Sequence, residues 1–303
     1  MKNGILILHK EEGMTSQTAV ARLRRLFGGI KAGHTGTLDP MATGVLPVML
    51  GGATRAGEFM LSSVKHYDAV LRLGITTDTE DTTGTVLTQT DTLPTEEEVQ
   101  AALSAFRGEI LQTPPMYSAL KVGGKKLVDL ARQGVEVDRA PRPITVHALT
   151  AQRLSDRDYR LSCTVSKGTY IRTLCADIGA ALGVGGAMAA LCRTEASGFA
   201  LSEAVTLSEL EAMTPEEREA RVLPVHRVFA DKPALSLSPF FARLAKSGCP
   251  LSLAKLRADF PVGALVTLWQ DGHFFALAEC VAENRQLPDS GPALKPIRQF
   301  TED

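Results

Sequence analysis

Between Gly33 and Gly52 the chain carries five glycines and two prolines among small and apolar residues. Glycine opens backbone angles closed to other residues and proline fixes its own, so this stretch is too irregular for one long helix or strand. It is also too apolar for a free linker. We therefore expect an ordered loop that the rest of the fold must accommodate. Its only carboxylate, Asp39, precedes Pro40, which pushes the aspartate out of the helical region and displays it on a stiff turn. On residues alone, an aspartate before proline is also a common turn or cap residue, and His34 an ordinary turn histidine.

Length allows about two domains for 303 residues, each large enough to bury a core without staples. Hydrophobic residues make up 44% and charged ones 22%, with no apolar run near the ~18 needed to span a bilayer. No basic-then-apolar leader stands at Met1, so membrane and secreted readings fall away. Five cysteines without a C-x-x-C spacing argue for reduced, cytoplasmic thiols and against a disulfide framework or a thiolate zinc site. The net charge of −1 conceals segregation: residues 1–60 carry +3, 61–110 carry −6, 111–175 carry +6, 176–230 carry −4 and 231–303 are neutral. One basic face on a near-neutral protein fits these counts, as does ordinary solvated charge.

Gly4–Leu8 reads as a buried strand. Thr15 or Ser16 can cap a helix whose Val20, Leu23 and Phe27 form an apolar stripe and which Gly28–Gly29 ends. Its Arg22, Arg24 and Arg25 make it either a plain surface helix or a phosphate-facing one. Tyr67–Leu73 alternates like a half-buried strand, and Thr85–Leu87 is placed to pair with it. Thr95 with Glu98 forms a capping box ahead of Val99, Leu103 and Phe106. Further helices are expected over Leu127–Arg132 and Thr169–Leu182, and further strands over Leu161–Val165 and Ala264–Leu268. A boundary falls near Ala230–Pro233, beyond which short apolar runs suggest a small β-rich unit.

Phosphate-cradling glycine motifs, a G-x-S-x-G elbow and H-x-x-x-H metal spacing are all missing from the sequence. Five local patterns are present instead: Lys10–Ser16, Gly33–Pro47, Lys65–Ala69, Gln112–Lys121 and Ser166–Leu174. In order and spacing they resemble the TruB-type tRNA pseudouridine synthases, of the stand-alone bacterial type, over roughly residues 3–230. The tail is similar to a PUA-like RNA-binding domain through Gly263–Val266 and Ala276–Glu279. Leu127 stands where family members commonly carry an aromatic residue.

The resemblance implies an α+β fold: a pseudouridine-synthase-like mixed, largely antiparallel sheet with flanking helices over 1–230, plus a small β-rich PUA-like domain over 231–303. It implies isomerisation of uridine 55 in the tRNA T loop to pseudouridine. The N1–C1′ bond breaks, the uracil turns and the link re-forms through C5, with no cofactor. It places the catalytic aspartate at Asp39. A carboxylate suits the task because it is ionised at neutral pH, whether it attacks sugar or base or removes a proton. In an apolar loop it wants a nearby cation, for which Arg172 is the family match. Extracting a stacked uridine costs a few kcal/mol. Tyr67 matches the stacking tyrosine, and base–aromatic contact returns ~1–3 kcal/mol. Tyr170 and Leu191 match other pocket positions and His34 an RNA contact, while Lys10, Thr15 and Ser16 would buttress the loop. The implied partner is the T arm of tRNA, with no membrane, no obligatory protein partner and a monomeric state. Two other readings compete. A non-catalytic tRNA-binding or chaperone protein would have no use for a carboxylate that repels phosphate in its cleft. A nucleoside hydrolase would want a paired acid and base, and the loop offers one carboxylate.

Overall fold

The computed structural model describes residues 3–61, 64–282 and 291–300. A nine-stranded sheet forms the larger layer. Its main path runs Gly4–Lys10, Thr43–Leu50, Gly186–Ala196, Lys65–Leu73, Asp158–Val165, Arg142–Arg153 and Gly108–Gln112, with Ala32–His34 and Phe199–Ala200 attached beside it. All its ladders are antiparallel except one: Thr43 and Gly44 pair in parallel with Cys192 and Arg193. The expected mixed, largely antiparallel sheet is thus present, with that exception between the second and third strands of the main path.

Gly4–Lys10 shows why its apolar run is continuous. Leu6 and Leu8 point into a core that includes Val20 and Leu23 of the helix Ser16–Leu26, while Ile5 and Ile7 enter a second core shared with Phe274 and Phe300. A strand covered on both faces needs apolar residues at every position. The helix begins as expected, with Thr15 accepting the Thr18 N–H, and Gly28 and Gly29 beyond its end take positive φ. Arg22 of that helix meets Glu211 at 2.5 Å and Arg24 reaches the Gly29 carbonyl, so both serve protein contacts. The Thr95–Glu98 capping box forms in full.

Two expectations are corrected. Residues 33–52 are not one loop: Thr43–Leu50 is an eight-residue strand that includes Pro47. A strand residue presents its N and C=O to the same side. The Pro47 carbonyl accepts the Thr35 N–H, on the side where the short partner strand has already ended at His34, so the missing N–H costs no ladder bond. Val86–Gln89 pairs with Ile75–Thr77, not with Lys65–Leu73. Lys65–Leu73 is flanked by Asp158–Val165 and Gly186–Ala196 and has no free edge.

From Ala234 a five-stranded sheet follows, ordered Ala234–Ser236, Leu265–Gln270, His273–Val281, Ala293–Gln299 and Leu251–Ser252, with its own apolar core under the helix Pro239–Lys246. Phe229 joins the two layers: its ring lies 5.4 Å from Phe59, 5.9 Å from Phe274 and 5.7 Å from Phe300. Glu58 and Arg298 form an ion pair across the same junction. No helix among the described residues is long and apolar enough to cross a membrane.

Candidate active site

The loop bearing Asp39 is held from several sides. Ser16 Oγ donates to the Leu38 carbonyl at 3.1 Å and accepts the Leu38 N–H at 2.9 Å. Lys10 is fully buried and donates to the carbonyls of Glu11, Pro40 and Ala42 at 2.9, 3.1 and 2.6 Å, which occupies all three ammonium hydrogens. Gly13 N–H adds a bond to the Pro40 carbonyl. Arg193, also fully buried, donates to Gly36 and Val45, one carbonyl on each side of the aspartate. The parallel pairing brings Arg193 this close because Gly44, at φ 103°, has no Cβ; one would lie 2.3 Å from the Arg193 carbonyl oxygen. Lys10 and Ser16 are therefore buttresses, as expected, and Thr15 is the helix cap.

Asp39 keeps about a third of its side chain exposed, facing a cavity of about 640 Å³. Arg172 Nε lies 2.9 Å from Asp39 Oδ2. The guanidinium is otherwise spent on protein: Nη1 donates to the Thr79 carbonyl at 3.1 Å, Nη2 to the Tyr117 carbonyl at 2.7 Å, and Asp81 Oδ2 stands 3.8 Å from Nη1. A cation fixed from three directions can orient a carboxylate without swinging away from it.

Lys65 and Tyr67 project from one strand, Leu191 and Arg193 from its neighbour, with Tyr67 directly opposite Arg193. Alternate residues share a face, so these four form one wall of the cavity. Burial pushes the Tyr67 hydroxyl up against the opposing pull of Arg193, leaving a neutral ring. Tyr170 also lines the cavity, its backbone clamped by Gln112, whose side chain accepts the Tyr170 N–H at 2.8 Å and donates to its carbonyl at 3.0 Å. Burial raises the Tyr170 hydroxyl as well. Lys65 and Lys167 add cationic character, and burial, followed by the repulsion of Arg193 and Lys167, holds the Lys65 ammonium down at about 8.

Asp39, Tyr67, Tyr170, Arg172 and Leu191 are thus brought together. His34 is not among the residues lining the cavity; it sits at the end of Ala32–His34, its imidazole held below its ordinary range by burial and by Arg193. Sequence reasoning missed Arg193. Its signal was a charge two residues from Leu191 on the same strand face, where a buried cation must have carbonyl or carboxylate partners. Thr79, Asp81 and Tyr117 were missed too, because two of them act through backbone carbonyls that leave no mark in a sequence.

Residues 24–171 match the TruB family pseudouridylate synthase N-terminal domain, and residues 172–230 the tRNA pseudouridylate synthase B C-terminal domain. A protein of Aromatoleum aromaticum named tRNA pseudouridine synthase B is 44% identical over 280 residues, 92% of this chain and 89% of that protein. The chain belongs to the TruB family. An Azoarcus relative of the same name is 43% identical over 277 residues, 91% of each chain. The TruB-family fold extends to solved structures: that of a Cbf5–Nop10–Gar1 complex matches with a TM-score of 0.74 at 26% identity, covering 98% of this chain and 85% of that one.

Proposed function

We propose that this TruB-family chain isomerises uridine 55 in the T loop of tRNA to pseudouridine. The observation that carries the reading is the Asp39 carboxylate, held by the buried Arg172 and facing a cavity walled by two tyrosines. The target uridine leaves its stack and enters the cavity, where Tyr67 and Tyr170 offer aromatic surface and Leu191 apolar contact in place of the lost stacking. Asp39 acts on the extruded nucleoside, and Arg172 keeps it aimed. His34, on the loop's approach, contacts RNA outside the pocket. Isomerisation needs no electron acceptor and releases nothing, because the uracil that departs from C1′ through N1 rejoins it through C5, so these side chains suffice for the overall balance.

Residues 1–230 constitute the catalytic domain and 231–303 a PUA-like domain that adds RNA contacts. The division is supported by the family models stopping at residue 230 and by the second sheet beginning at Ala234. The enzyme works as a monomer in the cytoplasm without a protein partner. Support for a reducing compartment comes from the five cysteines, all free, with burial pushing Cys163 up to about 12 and Cys175 higher still, so that neither is a reactive thiolate.

The test is incubation of purified protein with an unmodified tRNA transcript and no added cofactor, followed by carbodiimide treatment and primer extension. One T-loop uridine should become modified, and Asp39→Asn should bind the tRNA and leave it unchanged. An active Asp39→Asn variant, or modification elsewhere only, defeats the proposal.

A further inference from the structure

The turn formed by residues 78–84 contributes nothing to the cavity wall. Two of its atoms nonetheless reach Arg172, through the Thr79 carbonyl and the Asp81 carboxylate. Asp81 is buried and held in place by the hydroxyls of Thr79 and Thr83 and by the Thr83 N–H, all on Oδ1. Between these two sits Glu80, whose φ of 63° lies in the left-handed region that L side chains rarely adopt. Nothing in a glutamate favours that conformation, so its surroundings must impose it.

Three contacts do so. The Glu80 carboxylate accepts a hydrogen bond from Thr173 Oγ1 at 2.5 Å, its carbonyl accepts the Met188 N–H at 3.0 Å, and its own N–H donates to the Thr77 carbonyl. Thr173 follows Arg172 directly in the first turn of the helix Ile171–Ala181. The side chain of Glu80 therefore ties the 78–84 turn to the same helical turn that projects the arginine.

We propose that Glu80 is a positioning residue for the reaction: anchored on Thr173, it fixes the left-handed turn that sets the Thr79 carbonyl and Asp81 against the Arg172 guanidinium, and so aims Arg172 at Asp39. The proposal rests on the pseudouridine synthase reading. Glu80 touches neither the cavity nor Asp39, so its loss slows the chemical step and leaves tRNA binding alone. A strained backbone with a single side-chain bond among its three restraints is a sensitive point for such an effect, because small displacements of a reacting group lower rates steeply.

Single-turnover pseudouridine formation at saturating tRNA, the tRNA dissociation constant and the thermal midpoint are to be measured for Glu80→Ala, Glu80→Gln and Thr173→Val. Glu80→Ala and Thr173→Val should each slow the chemical step by about tenfold or more, with tRNA affinity within about twofold of wild type. Glu80→Gln, whose amide oxygen still accepts from Thr173, should stay within about threefold of the wild-type rate. The Glu80→Ala/Thr173→Val double variant should be no slower than the slower single one, since both remove the same bond. A wild-type rate in Glu80→Ala, equal slowing in Glu80→Gln and Glu80→Ala, or additive losses overturns the proposal. Should Glu80→Ala fail to fold, the Thr173→Val and Glu80→Gln rates decide. Wild-type protein that forms no pseudouridine overturns the functional reading itself, a result distinct from any of these.

Discussion

Arg172 shows how a single side chain carries the geometry of the site. Its donors are divided between Asp39 and two backbone carbonyls, a fork that an ammonium cannot reproduce. Arg172→Lys should therefore lower kcat by about a hundredfold with little change in KM, read by single-turnover kinetics; an unchanged kcat would remove the arginine from the aiming of Asp39. Lys10 and Lys65 set the pH response. Burial dominates in lowering both to about 8, and attraction by Asp39 and Glu12 offsets part of it at Lys10. As pH rises through 8, Lys10 loses one of three hydrogens that hold the loop and Lys65 loses its charge at the cavity wall. Activity should fall above about pH 8, and Lys65→Gln should remove the part of that fall seen in tRNA affinity. Stability moves the other way. The unfolded lysines keep their protons up to the ordinary value of 10.5, so the unfolded state binds more protons between 8 and 10.5, and the protein gains stability as pH climbs through that window. A pH–rate profile alongside denaturant midpoints separates the two trends. Asp39, Tyr67, Tyr170 and Arg172 were legible because each lies in a dense local pattern. Arg193 was not, because its partners Gly36 and Val45 lie about 150 residues away in sequence, 157 and 148 respectively.

Among the elements, strands and helix caps were the most readable. Gly4–Lys10 follows from its apolar run, Ser16–Leu26 from Thr15, and Glu96–Ala102 from its capping box. Thr43–Leu50 was hidden by Pro47, because whether proline breaks a strand depends on what stands beside it, and only the short length of Ala32–His34 makes it harmless here. The partner of Val86–Gln89 was misread because alternation identifies a strand and says nothing of its neighbours. The one parallel ladder of the nine-stranded sheet depends on Gly44. Gly44→Ala combines a positive φ, costing roughly 1–2 kcal/mol, with a clash against the Arg193 backbone. It should destabilise the protein by at least about 2 kcal/mol in urea titration and depress modification well below the melting range. A variant of wild-type stability would mean that the strands part without harm.

At the scale of the molecule, Phe229, Phe274 and Phe300 make a shared core of two sheets, with Ile5, Ile7 and Met49 on one side and Leu277 on the other. Phe274→Ala should cost about 3–5 kcal/mol and, by loosening the junction, split the calorimetric transition in two as the 234–300 sheet melts first. A single, unshifted transition would show that the sheets are held together by other contacts. The parallel ladder also has a bearing on biosynthesis. Asp39 is synthesised about 150 residues ahead of Cys192 and Arg193, so a nascent polypeptide truncated before the Gly186–Ala196 strand carries the carboxylate without the lattice that aligns its loop.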